Sequence, residues 1–165
     1  IYNSKFHKNF SEDYINIIRS EFNLKNISIT NAKSDAIDID FSTGKINELY
    51  VSKSGNDALD FSGSEVTVKN FGAEDIGDKA ISAGEESNIH AFYVSIDNCK
   101  YGVVVKDNST LTINDVKINN CDIGLASYQK KPEFGPAEML ANNPEFRNVT
   151  TPTYKDANST LIMSD

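Results

Sequence analysis

The sequence predicts an all-β solenoid, a right-handed parallel β-helix of seven to eight coils with about 22 residues per coil. Three observations predict it. Small-aliphatic pairs recur at intervals of 22: Ala36-Ile37, Ala58-Leu59, Ala80-Ile81, Gly102-Val103 and Gly124-Leu125. Two residues further along, a second apolar column runs Ile17, Ile39, Phe61, Ala83, Val105 and ends at Ser127. Each repeat also holds three short stretches that alternate apolar and polar residues between polar turns, the pattern of strands. A period of this length marks a repeat architecture whose units bury their apolar faces on one another. Crossovers between parallel strands are overwhelmingly right-handed, which sets the hand of the coil.

The first stretch of each repeat is the small-aliphatic column, and its alternation places Ile37, Ile39 and Phe41 inside. The second runs Val66-Thr67-Val68, Ile89-His90-Ala91 and Leu111-Thr112-Ile113; the third runs Leu49-Tyr50-Val51, Val94-Ser95-Ile96 and Val116-Lys117-Ile118. The spacing slips by one residue near Glu85-Glu86 and recovers before Gly102, which keeps the inward residues inward. Corner residues that coincide in register, Asn98 over Asn120 and Ser87 over Ser109, are expected to form coil-to-coil ladders. After Tyr128 the pattern breaks: residues 129–136 carry two prolines and a glycine and read as a protruding loop. It returns at Lys155–Leu161, which echoes Lys106–Leu111, and Ile162 and Met163 follow.

The chain, 165 residues, reads as a single domain over 1–165. It begins in mid-pattern, which suggests a processed product or a piece of a longer protein. A net charge of -8 repels a phosphate backbone, so nucleic acid is not an expected partner. No apolar run approaches the roughly 18 residues of a membrane span. Cys99 and Cys121 also stand 22 apart and should stack in adjacent coils, as a pair of small buried thiols or as a bridge.

Alternation on the first stretch turns two columns outward: Asn16, Asp38, Asp60, Ser82, Val104, Ala126, and beside them Ile18, Asp40, Ser62, Gly84, Lys106, Tyr128. Asp13, Asp35 and Asp57 sit at the preceding turn, so Asp35, Asp38, Asp40, Asp57 and Asp60 gather on one patch. Stacked like charges need compensation. Three readings follow. Turn aspartates can accept backbone N–H bonds. Asp38, Asp40 and Asp60 can hold Ca²⁺, which takes several carboxylate oxygens. Finally, the carboxylates can do acid–base work on a sugar.

Ser34-Asp35-Ala36-Ile37-Asp38-Ile39 and, 22 residues on, Gly55-Asn56-Asp57-Ala58-Leu59 resemble the paired aspartate motifs of polygalacturonases. That resemblance implies catalytic carboxylates at Asp35 and Asp57. Asn56 stands where the family has a further Asp, and the family's Gly-His-Gly and Arg-Ile-Lys motifs have no counterpart. The stretch from Ser34 to Gly135, through 55–64, 77–85 and 128–135, also resembles bacterial right-handed β-helix repeat proteins of the pectin-lyase-like superfamily. Pectate-lyase-like enzymes on this fold pair Ca²⁺ with a basic residue, and the resemblance makes Lys106, Tyr128 and Lys130 the bases available here, with Arg19 at the far edge. Lys106 stacks with Tyr128 but lies two coils, on the order of 10 Å, from Asp60.

The resulting expectation is a secreted or cell-surface domain that interacts with polysaccharide, with Ca²⁺ as its one candidate cofactor and without complete catalytic machinery. Asp35, Asp57 and Lys106 are the candidate catalytic residues; Asp38, Asp60, Tyr128 and Lys130 are the candidate carbohydrate contacts. The alternatives are a polysaccharide lyase or glycoside hydrolase acting on a uronic-acid-containing polymer, and a structural segment whose end coils stack on further β-helix coils.

Overall fold

The computed structural model describes residues 1–165 and contains strands and turns but no helix. Twelve strands, all paired in parallel, wind into about seven coils with three walls. The first wall stacks β2 (Asp13–Ile18), β4 (Asp35–Asp40), β6 (Leu59–Ser62), the last parts of β7 (Glu65–Gly84), β8 (Asn88–Lys106) and β9 (Thr110–Tyr128), and β11 (Thr151–Lys155). The other two walls are formed by β1 (Tyr2–His7), β3 (Glu21–Ala32), β5 (Thr43–Ser54), the earlier parts of β7–β9, β10 (Glu138–Arg147) and β12 (Thr160–Ser164).

Registers repeat the sequence period. Ile37 pairs with Leu59 and Leu59 with Ile81 across the first wall. The extra residue near Glu85-Glu86 is absorbed there, both residues having positive φ, and β7 and β8 realign between Ile76 and Lys79. Past Tyr128 the separation grows from 22 (Asn88 to Thr110) to 28 (Thr110 to Glu138), so six residues are added by the loop.

One continuous core fills the coil, with Ile39, Phe61, Ala83 and Val105 fully buried in a single column. Between the second and third walls the chain turns on single left-handed residues, Asn26, Glu48, Asn70, Tyr93, Asp115 and Asn143, with φ between 52 and 60°. Asn and Asp tolerate that conformation best, which accounts for much of the chain's asparagine. Before the first wall, coils approach so closely that a Cβ at Gly77 would lie 2.2 Å from the Gly55 carbonyl oxygen.

Two expectations change, and one alternative left open by the sequence is decided. Phe41 does not continue the inward alternation: it takes a φ of 49° at the turn and is 57 % exposed. The serine ladder forms as expected, each hydroxyl accepting an N–H from the preceding coil (Ser64 N to Ser87 Oγ, 3.1 Å; Ser87 N to Ser109 Oγ, 3.0 Å). Asn98, however, donates to Asp75 rather than to Asn120, which itself donates to Asp97. Cys99 and Cys121 are not separate thiols; they form a disulfide across adjacent coils, with Cα atoms 4.8 Å apart. Residues 129–136 contain no strand and are tied at their base, where Lys130 and Lys131 N–H groups donate to Asp107 Oδ1 at 2.6 and 2.7 Å.

Candidate functional site

The outer side of the first wall gathers the aspartates singled out by sequence. Its central column runs Asn16, Asp38, Asp60, Ser82, Val104 and Ala126 in direct register. The position at the preceding turn runs Asp13, Asp35, Asp57, Lys79 and Tyr101.

Asp35 and Asp57, the candidate catalytic pair, hold coils together. Asp35 Oδ1 accepts from the Asp57 N–H and from the Asn56 amide, both at 2.7 Å. Asp57 Oδ1 accepts from the Lys79 N–H at 3.0 Å. Each carboxylate thus satisfies backbone of the following coil. Asp57 is 2 % exposed, and the Lys79 amine approaches it at 3.4 Å while also pairing with Asp78. Burial pushes Asp57 up to about 6 despite the Lys79 charge, with Asp60 and Asp35 adding to the rise. Burial works to lower the Lys79 amine, but the Asp78 and Asp57 carboxylates override it and hold it above the usual lysine range.

Asp38 and Asp60 are register partners in adjacent coils. Asp38 accepts from Asn16 at 3.1 Å, and burial followed by the charges of Asp40, Asp13, Asp60 and Asp35 pushes it up to about 7. Asp40 is raised in the same way, by burial and by Asp60, Glu85 and Asp13. Asp60 has one buried carboxylate oxygen, Oδ1, without any hydrogen-bond partner. The three carboxylates proposed for calcium share the face, yet nowhere do three or more His, Cys, Asp or Glu side chains converge as a metal cage. Of these carboxylates, Asp38 and Asp40 hold their protons more tightly than usual, which lowers the charge gathered on the face.

Lys106 departs most from expectation. It is 8 % exposed rather than solvated, and its amine reaches back one coil to donate to Ser82 Oγ at 2.8 Å. Gly84 opens the path: a Cβ there would meet Lys106 Cε at 2.7 Å. The charge therefore ends beside the residue in register with Asp60, which shortens the two-coil separation inferred from sequence. Tyr128 is half-buried beside Tyr154, its ring centroid 6.1 Å away. Its hydroxyl is raised by burial, against Lys79, with Tyr101, Asp78 and Asp107 adding to the rise. Val104 and Ala126, outward in the column, are fully buried. Lys130 is exposed on the loop, and only its backbone is held to the wall.

The face therefore brings together Asp38, Asp57, Asp60, Lys79, Ser82 and Lys106. Sequence reasoning missed Lys79 as a member and placed Ser82 in the outward column without giving it a role. The signal was present: counting 22 from Asp57 lands on Lys79, and from Asp60 on Ser82. Chemically, the face offers carboxylate acceptors, an ammonium donor and carboxylic acids that exchange protons near neutrality.

The parallel three-walled coil with an elaborated outer wall defines a β-helix repeat domain. The family described as right handed beta helix region matches residues 13–151, and the chain belongs to it. None of the curated proteins is significantly similar to the chain.

Proposed function

We propose that this domain binds a polysaccharide along the outer side of the first wall, with sugar hydroxyls donating to Asp60 and Asp38 and accepting from Lys106. The observation that carries the reading is the buried, unpartnered Oδ1 of Asp60 in the central column, beside the turn carboxylates Asp35 and Asp57, which are satisfied by backbone and amide donors; Asp78 Oδ1 and Asp107 Oδ2, at turns of the same wall, also lack a donor. A buried acceptor without a donor is costly, and a ligand hydroxyl supplies one. The disulfide between Cys99 and Cys121 favours an oxidising, extracytoplasmic setting. Affinity electrophoresis through gels containing neutral glycans such as xylan tests it. Retardation by at least one glycan, lost in Asp60→Asn combined with Lys106→Met, is the expected result; free migration through every gel overturns it.

A second reading, cleavage of a uronic-acid-containing polymer as in the pectin-lyase-like superfamily, is favoured by the elevation of Asp38 to about 7 and Asp57 to about 6, where a carboxylic acid can donate a proton near neutral pH. New reducing ends or an unsaturated product from polygalacturonate, lost in Asp57→Asn, would establish it. Unchanged polymer after prolonged incubation removes it.

A further inference from the structure

We infer that the outer side of the second wall is a separate binding site for an acidic polysaccharide, built on Lys25, Lys45 and Lys69. The inference does not depend on the reading of the first wall. Parallel pairing aligns Lys25 with Asn47 and Asn47 with Lys69, and, two positions earlier, Asn23 with Lys45 and Lys45 with Thr67. Lysines and amides thus alternate as a checkerboard across three coils. From the strand spacing and the rise along a strand, Lys45 lies roughly 8 Å from each of the other two at the Cα level, and those two are roughly 10 Å apart.

All three lysines are exposed, and their amines enter none of the chain's five ion pairs. Glu21, Glu48 and Glu65 lie on or beside the same strands and make no bridge to them. Three cations side by side without an ion-pair partner stand out in a chain of net charge -8, although Glu21 and Glu65, in register with Thr43, lie about as far from Lys45 as the other two lysines do. Between them lies a groove of about 440 Å³ bordered by Asn23, Asn47 and Thr67 as well as the lysines. Asn47 accepts from the Asn70 amide through its oxygen at 3.4 Å, and its own NH₂ makes no hydrogen bond within the chain, so it remains available as a donor. Lys69 rests over the Phe92 ring at 5.4 Å, which restrains its stem.

The set is rich in donors and too widely spread for a single small anion. It matches carboxylates repeated along a flexible sugar chain, with the amides and Thr67 left for hydroxyls between them. Net negative charge elsewhere on the protein disfavours a nucleic acid, whose phosphates are far denser. The occupant that this chemistry fits is a uronate-bearing polysaccharide.

Affinity electrophoresis of the intact chain in gels containing polygalacturonate, heparin or xylan tests the site. The wild type should be retarded by polygalacturonate, less so as salt rises because exposed charges are screened. Lys25→Gln with Lys45→Gln and Lys69→Gln should weaken that retardation by about tenfold while the melting temperature stays unchanged. A control of equal charge change, Lys8→Gln with Lys53→Gln and Lys117→Gln, should retain binding. Equal loss in both triples, retardation by heparin alone, or no retardation of the wild type by polygalacturonate overturns the proposal. Retardation by xylan reports only on the first wall, so failure of either reading is visible without the other.

Discussion

The two outer faces rest on the same backbone and the same coil spacing, yet they treat charge in opposite ways. On the first wall, Asp57, Lys79, Ser82 and Lys106 are buried or nearly so and bonded across coils, and Asp57 and Lys79 are shifted in proton affinity. On the second wall, Lys25, Lys45 and Lys69 stand in solvent without a carboxylate partner. The difference teaches that register alone does not make a site. Charges become coupled where long side chains can lie along the wall over small neighbours, as Lys106 does over Gly84. Elsewhere they remain independent and screened.

The comparison breaks altogether if the shared core is lost. Leu59→Asp buries an uncompensated charge in a column with no solvent access, at a cost of several kcal/mol, and both faces should disappear with the fold. Circular dichroism at room temperature checks this; a cooperative melt near that of the wild type would mean that Leu59 does not point inward.

Lys79→Met should separate the faces. It leaves the nearly buried Asp57 without its ammonium partner and should cost about 3 kcal/mol at neutral pH. The second-wall triple Lys→Gln variant, confined to exposed side chains, should stay within about 0.5 kcal/mol of the wild type. Urea denaturation of both variants at pH 7.5 or so makes the contrast direct.

Gly84→Ala forces Lys106 away from Ser82 at a cost of about 1 kcal/mol, the net value of one hydrogen bond. In a Lys106→Met background the same change should cost much less, and a double-mutant cycle measures the difference. Equal costs in both backgrounds would show that Gly84 serves the backbone instead.

A dependence on pH is expected from the first wall. An unfolded aspartate ionises near 3.9, whereas folded Asp38 does so at about 7 and Asp57 at about 6. Between those limits the folded state holds more protons, so stability falls as pH rises from about 4 to about 7 and levels off above. Asp38→Asn should therefore raise the melting temperature at pH 8 or so, do little near pH 4, and flatten the slope between. A steeper slope in the variant would contradict the raised affinity of Asp38. The exposed lysines should leave this profile unchanged.

Much of the fold was legible because a coil repeats its physics. The inward columns, the slip at Glu85-Glu86, the serine ladder and the six added residues after Tyr128 all follow from counting. Phe41 was not legible by alternation, since a strand's period ends where its turn residue adopts positive φ. The acidic face was legible as a set of columns, but the members that bond its coils together were only half visible. Asp35 and Asp57 drew attention as carboxylates, whereas their contacts with following N–H groups make them fasteners of successive coils. Lys79 occupied the right column but lacked a motif to mark it.

By itself, the sequence determined the solenoid, its period, the inward columns within the strands, and which columns share an outer face. These depend on backbone periodicity, and a shift of one residue would expose the whole core. Tertiary structure alone decided where the flexible groups end. Nothing in the spacing of Lys106 says that its amine turns back toward Ser82, and nothing in the spacing of Cys99 and Cys121 chooses a bridge over two thiols. Side-chain rotamers, burial and the space left by a glycine set those outcomes, and they act between coils rather than along the chain.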